Sequence, residues 1–89
     1  MDDDSSMTGS AGNPHAPSAY VVQTGAFRNP VYANRMLNEL LEQDYPAFIT
    51  ERDRFFLVQV GPYRTLNEAV DFEQKLKRAG YATLIITRP

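Results

Sequence analysis

The chain has 89 residues, 43% of them hydrophobic, a formal charge of −2, one histidine and no cysteine. That length holds one small domain, and the absence of cysteine excludes disulfides and thiolate metal sites while leaving the redox compartment open. All nine Lys and Arg follow residue 19 but only eight of the eleven Asp and Glu do, so the apolar-rich part is close to +1, a poor match for a polyanion.

Residues 1–19, "MDDDSSMTGSAGNPHAPSA", hold Asp, Ser, Gly, Ala and Pro with almost nothing apolar to bury. They read as a disordered linker or an expression remnant, with a domain at 20–89. No apolar run in the chain is long enough to span a membrane, and nothing in it looks like a signal peptide.

The first element is "YVVQTG" from Tyr20, a strand by its β-branched and aromatic content, ending at Gly25. Asn29-Pro30 then reads as an N-cap with proline at the first helical position. Ala33, Met36, Leu37 and Leu40 mark one helical stripe. "AFIT" is a short strand, and "ERDR" (51–54) is the hairpin that follows it. "FFLVQVG" is the third strand. Thr65 with Glu68 forms a capping box, and Ala69, Phe72, Leu76 and Ala79 mark a second helical stripe. Gly80 ends that helix, and "TLIIT" is the last strand.

The halves repeat. Residues 20–51 slide onto 56–87 without a gap, matching Val22 to Val58, Gln23 to Gln59, Gly25 to Gly61, Arg28 to Arg64, Leu40 to Leu76 and Tyr45 to Tyr81. Two copies are too few for a solenoid, so they close into one domain with internal pseudo-two-fold symmetry. The order βαββαβ predicts an α+β, ferredoxin-like fold: a four-stranded antiparallel sheet in the order 4-1-3-2 with two helices on one face. Strands 1 and 3, which carry the repeated phrases "VQTGAF" and "VQVGPY", are then central neighbours.

Strand side chains alternate. Tyr20, Val22 and Thr24 share one face; Val21, Gln23 and Gly25 share the other. Phe56, Val58 and Val60 oppose Phe55, Leu57, Gln59 and Gly61. The more apolar faces take the helices, so Gln23 and Gln59 lie together on the helix-free face beside Val21, Phe55 and Leu57, with Arg28, Arg54 and Arg64 at its rims. An amide offers donors and acceptors that suit hydroxyl or acetamido groups, and an aromatic can stack on a flat ligand.

Catalytic chemistry is not legible. His15 lies in the tail, which removes a His-based triad or metal cluster from the domain. No strand interior carries an acid, whereas glycoside hydrolysis normally needs two facing carboxylates. Glu39, Glu42, Glu68, Asp71 and Glu73 fall on helices, and Glu51 and Asp53 on the hairpin, as solvated charge. Tyr45 and Tyr81 read as core caps. No cofactor is implied, and the chain reads as a binding module.

"YVVQTGAF", "LVQVGPY" and "NEAVDFEQKLKRAGYATLI" resemble a SPOR domain, the sporulation-related repeat that binds bacterial peptidoglycan, and the resemblance covers residues 20–88. It implies a non-catalytic module that recognises denuded glycan strands, those lacking stem peptides. Such a module targets its parent, for example a division protein or a cell-wall amidase, to septal or spore wall. It also implies a place in the bacterial envelope, periplasm or cell wall, reached through a segment outside this chain. The family's glycan contacts lie on the helix-free face, where its strand-1 glutamine corresponds to Gln23 and its strand-3 aromatic to Phe55. With Gln59, Arg28 and Arg54 nearby, two positions depart from the pattern. Ala26 stands where serine is frequent, and Leu57 stands where a basic residue is usual, which removes a cation from the centre of the platform and shifts weight to Arg54 or Arg28. The domain is expected to act as a monomer, without nucleic acid or membrane contact. Two alternatives share the topology. An RNA-recognition module needs a glycine and a basic start that "DRFFLVQV" lacks in register. A regulatory or protein-interaction domain would pair its open face with a second copy.

Overall fold

The computed structural model describes residues 19–88. In chain order they form β1 (Ala19–Phe27), α1 (Pro30–Glu42), β2 (Ala47–Arg52), β3 (Phe55–Tyr63), α2 (Leu66–Arg78) and β4 (Leu84–Arg88). The strands make one antiparallel sheet in the order β2-β3-β1-β4, the expected order read from its other edge. β1 starts at Ala19, one residue before the boundary drawn from sequence. The rest of the tail assignment lies outside the described residues.

Local chemistry starts both helices, and stops the second, as the sequence predicts. Asn29 caps α1, accepting from the Val31 amide at 2.9 Å, with Pro30 just inside. Thr65 and Glu68 exchange both bonds of a capping box at α2. The C-termini match across the repeat. Tyr45 N donates to Leu40 O and Tyr81 N to Leu76 O, both at 3.0 Å, around left-handed residues Asp44 (φ 65°) and Gly80 (φ 98°). Such a closure satisfies carbonyls the helix leaves open. Ala79, expected to close the apolar stripe of α2, is instead its exposed C-cap.

The core lies between the helices and one sheet face. Val22, Val58 and Val60 meet Ala33 and Leu40 of α1 and Ala69 and Leu76 of α2, all fully buried. Tyr45 and Tyr81 pack against this cluster as caps. Ala33 and Ala69 occupy matched positions where a small side chain lets helix and sheet approach. The hairpin is tighter than 51–54: Glu51 and Arg52 still pair with β3, leaving Asp53 and Arg54 as a two-residue turn with φ of 52° and 70°. Positive φ at both positions matches the twist of the flanking strands.

The β1–β3 ladder is irregular at two places, and this overturns one expectation from strict alternation. Gln23 pairs with Gln59 but Gly25 pairs with Val58, so Thr24 is an extra residue in β1. Tyr20 pairs with Tyr63 and Val22 with Val60, so Gly61 and Pro62 together oppose Val21. Each extra residue shifts the phase by one. Gly25 therefore turns to the helix side, where Thr24 also points, its hydroxyl 3.3 Å from Val58 O and 3.4 Å from Met36 Sδ. A Cβ on Gly25 would lie 2.7 Å from the Phe27 ring and 3.0 Å from Met36 Sδ. Phe27 and Tyr63, which alternation would leave on the open face with the glutamines, both enter the core. Tyr63 stacks on Phe72 with ring centres 4.5 Å apart.

Candidate functional site

The same phase shifts build the open face. Its rows are set by the strand registers: Arg52 beside Phe55; Thr50, Leu57 and Ala26; Phe48, Gln59, Gln23 and Leu84; then Val21 and Ile86. Ala26 reaches this face only because of the extra Thr24. By alternation it would point at the helices.

The two glutamines are bonded to each other. Gln59 Nε2 donates to Gln23 Oε1 at 3.2 Å, and Gln59 Oε1 accepts from Thr50 Oγ1 at 3.3 Å. Gln59 is 6% exposed, so these bonds largely consume its amide. Gln23 is half-buried, and its Nε2 has no acceptor among the described residues. The chain of polar groups runs from β2 across β3 to β1 and ends in a donor facing outward.

Three depressions line up around this chain. A hollow of about 160 Å³ lies at the edge of β1 where its pairing with β4 has ended, lined by Gln23, Thr24, Gly25 and Ala26 on one side and Ala82, Thr83 and Leu84 on the other. A mainly apolar shelf of about 250 Å³ is lined by Ala26, Arg52, Asp53, Phe55 and Leu57. A cleft of about 210 Å³ lies between Thr50, Arg52, Leu57 and Gln59 on one side and the end of β4, Ile86 to Arg88, on the other. The first two share Ala26; the last two share Arg52 and Leu57. They form one continuous groove. Its floor is concave, as the coiling of a twisted sheet requires: Arg88, from one edge strand, sits 5.8 Å from the ring centre of Phe48 on the other.

Of the residues proposed from sequence, Gln23, Ala26, Phe55, Leu57 and Gln59 come together on this groove. Arg28 joins them, its guanidinium 5.3 Å from the Phe55 ring centre. Arg54 sits in the hairpin turn and lines none of the three depressions, and the Arg64 backbone amide serves the α2 cap. Sequence reasoning missed Phe48, Thr50, Arg52, Ile86 and Arg88. The signal was present in "AFITER" and "LIITR", where every second residue opposes a core position. A separate hollow on the helix side, lined by Phe27, Tyr32, Arg35, Met36 and Glu39, shares no residue with the groove. Among the described residues, no three His, Cys, Asp or Glu gather to hold a metal, and no helix is long and apolar enough to cross a membrane.

A split βαββαβ fold with a grooved, helix-free sheet face defines a class of small α+β binding domain. The SPOR domain family model matches residues 16–87, and the chain belongs to that family. Solved structures share the fold. The peptidoglycan-binding domain of the B. subtilis cell wall lytic enzyme CwlC is 22% identical with a TM-score of 0.74, covering 83% of this chain and 94% of that one. The SPOR domain of RlpA from Pseudomonas aeruginosa is 25% identical with a TM-score of 0.65, over 79% and 99%. The Spor protein DedD is 23% identical with a TM-score of 0.65, over 83% of this chain and 42% of that one. No curated protein sequence matches the chain.

Proposed function

We propose that this SPOR domain binds peptidoglycan glycan, recognises strands that have lost their stem peptides, and so carries its parent protein to septal or spore wall. The observation that supports it is the continuous groove: a line of amides and a hydroxyl edged by Phe55, Leu57 and Ala26. Sugars present hydroxyl and acetamido groups to the amides and an apolar ring face to the aromatic. A groove open at its ends accepts a polymer threaded along it. A strand stripped of its peptides can lie flat against this face, whereas peptides on alternate sugars would crowd the contact. Likeness to a domain described as peptidoglycan-binding supports the same reading. Asp53 is the one acid lining the groove, and a lone carboxyl is half of what glycoside hydrolysis uses; the module binds without catalysis. Residues 20–89 are the working unit, acting singly in the envelope.

The test is retention on purified sacculi with and without prior amidase digestion. Amidase-treated sacculi should retain the domain better than untreated ones, and no gain on digestion would sink the specificity. Gln23→Ala with Phe55→Ala should weaken retention at least about tenfold, since anchors of this kind cost on the order of 1–2 kcal/mol each, while the circular dichroism melt stays cooperative.

A further inference from the structure

We propose that Arg52 and Arg88 form an anion subsite in the cleft beside Leu57, and that it takes a carboxylate carried on a sugar. This rests on the glycan reading above and adds the charge of the ligand to it. Leu57 brings no charge to the middle of the face, yet two guanidiniums reach the cleft it lines. Arg52 comes from the end of β2 and Arg88 from the end of β4, and both border the same depression.

Each guanidinium is positioned, and among the described residues neither meets a carboxylate closer than 4.0 Å. Arg88 lies over the Phe48 ring, its guanidinium carbon 5.8 Å from the ring centre, a cation–π contact that takes up no carboxylate-binding partner. Arg52 Nε is 4.0 Å from Asp53 Oδ2, with the two side chains 75% and 90% exposed. A loose pair in full solvent contributes little and yields readily to a better acceptor. Between them lie the Thr50 hydroxyl and the Gln59 amide, with Leu57 and Ile86 as apolar walls for a ring. A neutral sugar would use the walls and the Thr50 hydroxyl but leave both cations idle. A carboxylate fits the guanidinium fork.

The ligand's own chemistry supplies that charge. While a lactyl ether side chain is amide-linked to a peptide, its carbonyl is neutral. Water cleaves the amide to a carboxylate on the sugar and an ammonium on the departing peptide. Removal of the peptide thus clears bulk from the groove and creates the anion that two arginines await. Selectivity for stripped strands then has an electrostatic component as well as a steric one.

The experiment is calorimetric titration of the full 89-residue chain with a tetrasaccharide of alternating N-acetylglucosamine and N-acetylmuramic acid, as the free acid and as its methyl ester. The acid should bind about fivefold more tightly than the ester, the scale of exposed charge pairs. Arg52→Gln and Arg88→Gln should each erase most of that ratio by weakening acid binding, with ester affinity unchanged. Equal affinity for acid and ester, or variants that weaken both alike, overturns the subsite and leaves the glycan reading standing. If neither sugar binds, the glycan reading falls and the subsite falls with it.

Discussion

Gly25 has no side chain because Phe27 and Met36 occupy the space one would need. Gly25→Ala must displace the Phe27 ring or the thioether, and overpacking of this kind costs about 1–3 kcal/mol. Urea unfolding should show the midpoint falling with an unchanged slope. Tyr63 poses the opposite problem: its hydroxyl is buried with no hydrogen-bond partner among the described residues. Its phenol is pushed up to about 12, first by burial and then by the charges of Tyr45 and Glu68. Because the folded value lies above the ordinary one near 10, the neutral phenol's contribution is complete below pH 10 and drains away as pH rises from 10 through about 12. Tyr63→Phe should match or exceed the wild type in stability at pH 7, since it deletes an unpaired polar group. Its stability should also fall less steeply across that alkaline window, as measured by urea midpoints at successive pH values. At this scale the sequence spoke clearly about Gln23 and Gln59 as neighbours on one face. It was silent on their bonding to each other, which depends on rotamers and on Thr50 from a third strand.

The elements themselves were legible because their signals are local: Asn29-Pro30, the Thr65–Glu68 box and Gly80 each act within a turn of chain. The extra residues in the β1–β3 ladder were not. Period-two counting assumes an unbroken ladder, and from Gln23 to Phe27 it gives one face where the structure gives two. What forces the shift is tertiary. Phe27 and Tyr63 must fill the core near Met36 and Phe72, and the chain inserts a residue beforehand to turn them in. Arg54 lies outside the three depressions for a related reason: it sits in the two-residue hairpin turn, while the strand position Arg52 lines the groove. The matched helix ends offer a clean measure of a single element. Gly80 holds φ 98° with nothing within 4 Å of an added Cβ. Gly80→Ala therefore meets no clash and reports backbone strain, on the order of 1–2 kcal/mol, less the smaller gain from restricting the unfolded chain. Asp44, its counterpart in α1, already carries a side chain in that region at φ 65°. Asp44→Gly should change the unfolding free energy by less than Gly80→Ala does, because Asp tolerates the left-handed region better than Ala and so has less strain to relieve, while the unfolded-state freedom of glycine offsets both changes alike.

In the whole molecule, pseudo-symmetry separates two tasks. Fully buried valines and alanines face the helices, and the amide line with its apolar shelf faces out, so the groove can change without loss of the core. Charge is distributed unevenly between the helices and the open face. The helices mix Glu39, Glu42, Glu68, Asp71 and Glu73 with Arg35, Lys75, Lys77 and Arg78, while Arg28, Arg52 and Arg88 meet aromatics or clefts on the open face beside a single acid, Asp53. The domain's net charge near +1 hides a mildly cationic groove, which bulk composition could not reveal. Three exposed guanidiniums are enough to read isolated carboxylates and too few to neutralise a phosphate backbone. Salt dependence tells these apart. A protein that neutralises 6–10 phosphates loses roughly 10³–10⁵ in affinity between about 50 and 200 mM salt. A groove holding one carboxylate between two arginines, with amides and Phe55 supplying most of the contact, should lose about twofold to fivefold over that range, because screening acts only on its exposed charges. Retention on amidase-treated sacculi at a series of salt concentrations measures this slope. A loss above about a hundredfold would mean that charge dominates the contact and that the amide line does not carry it.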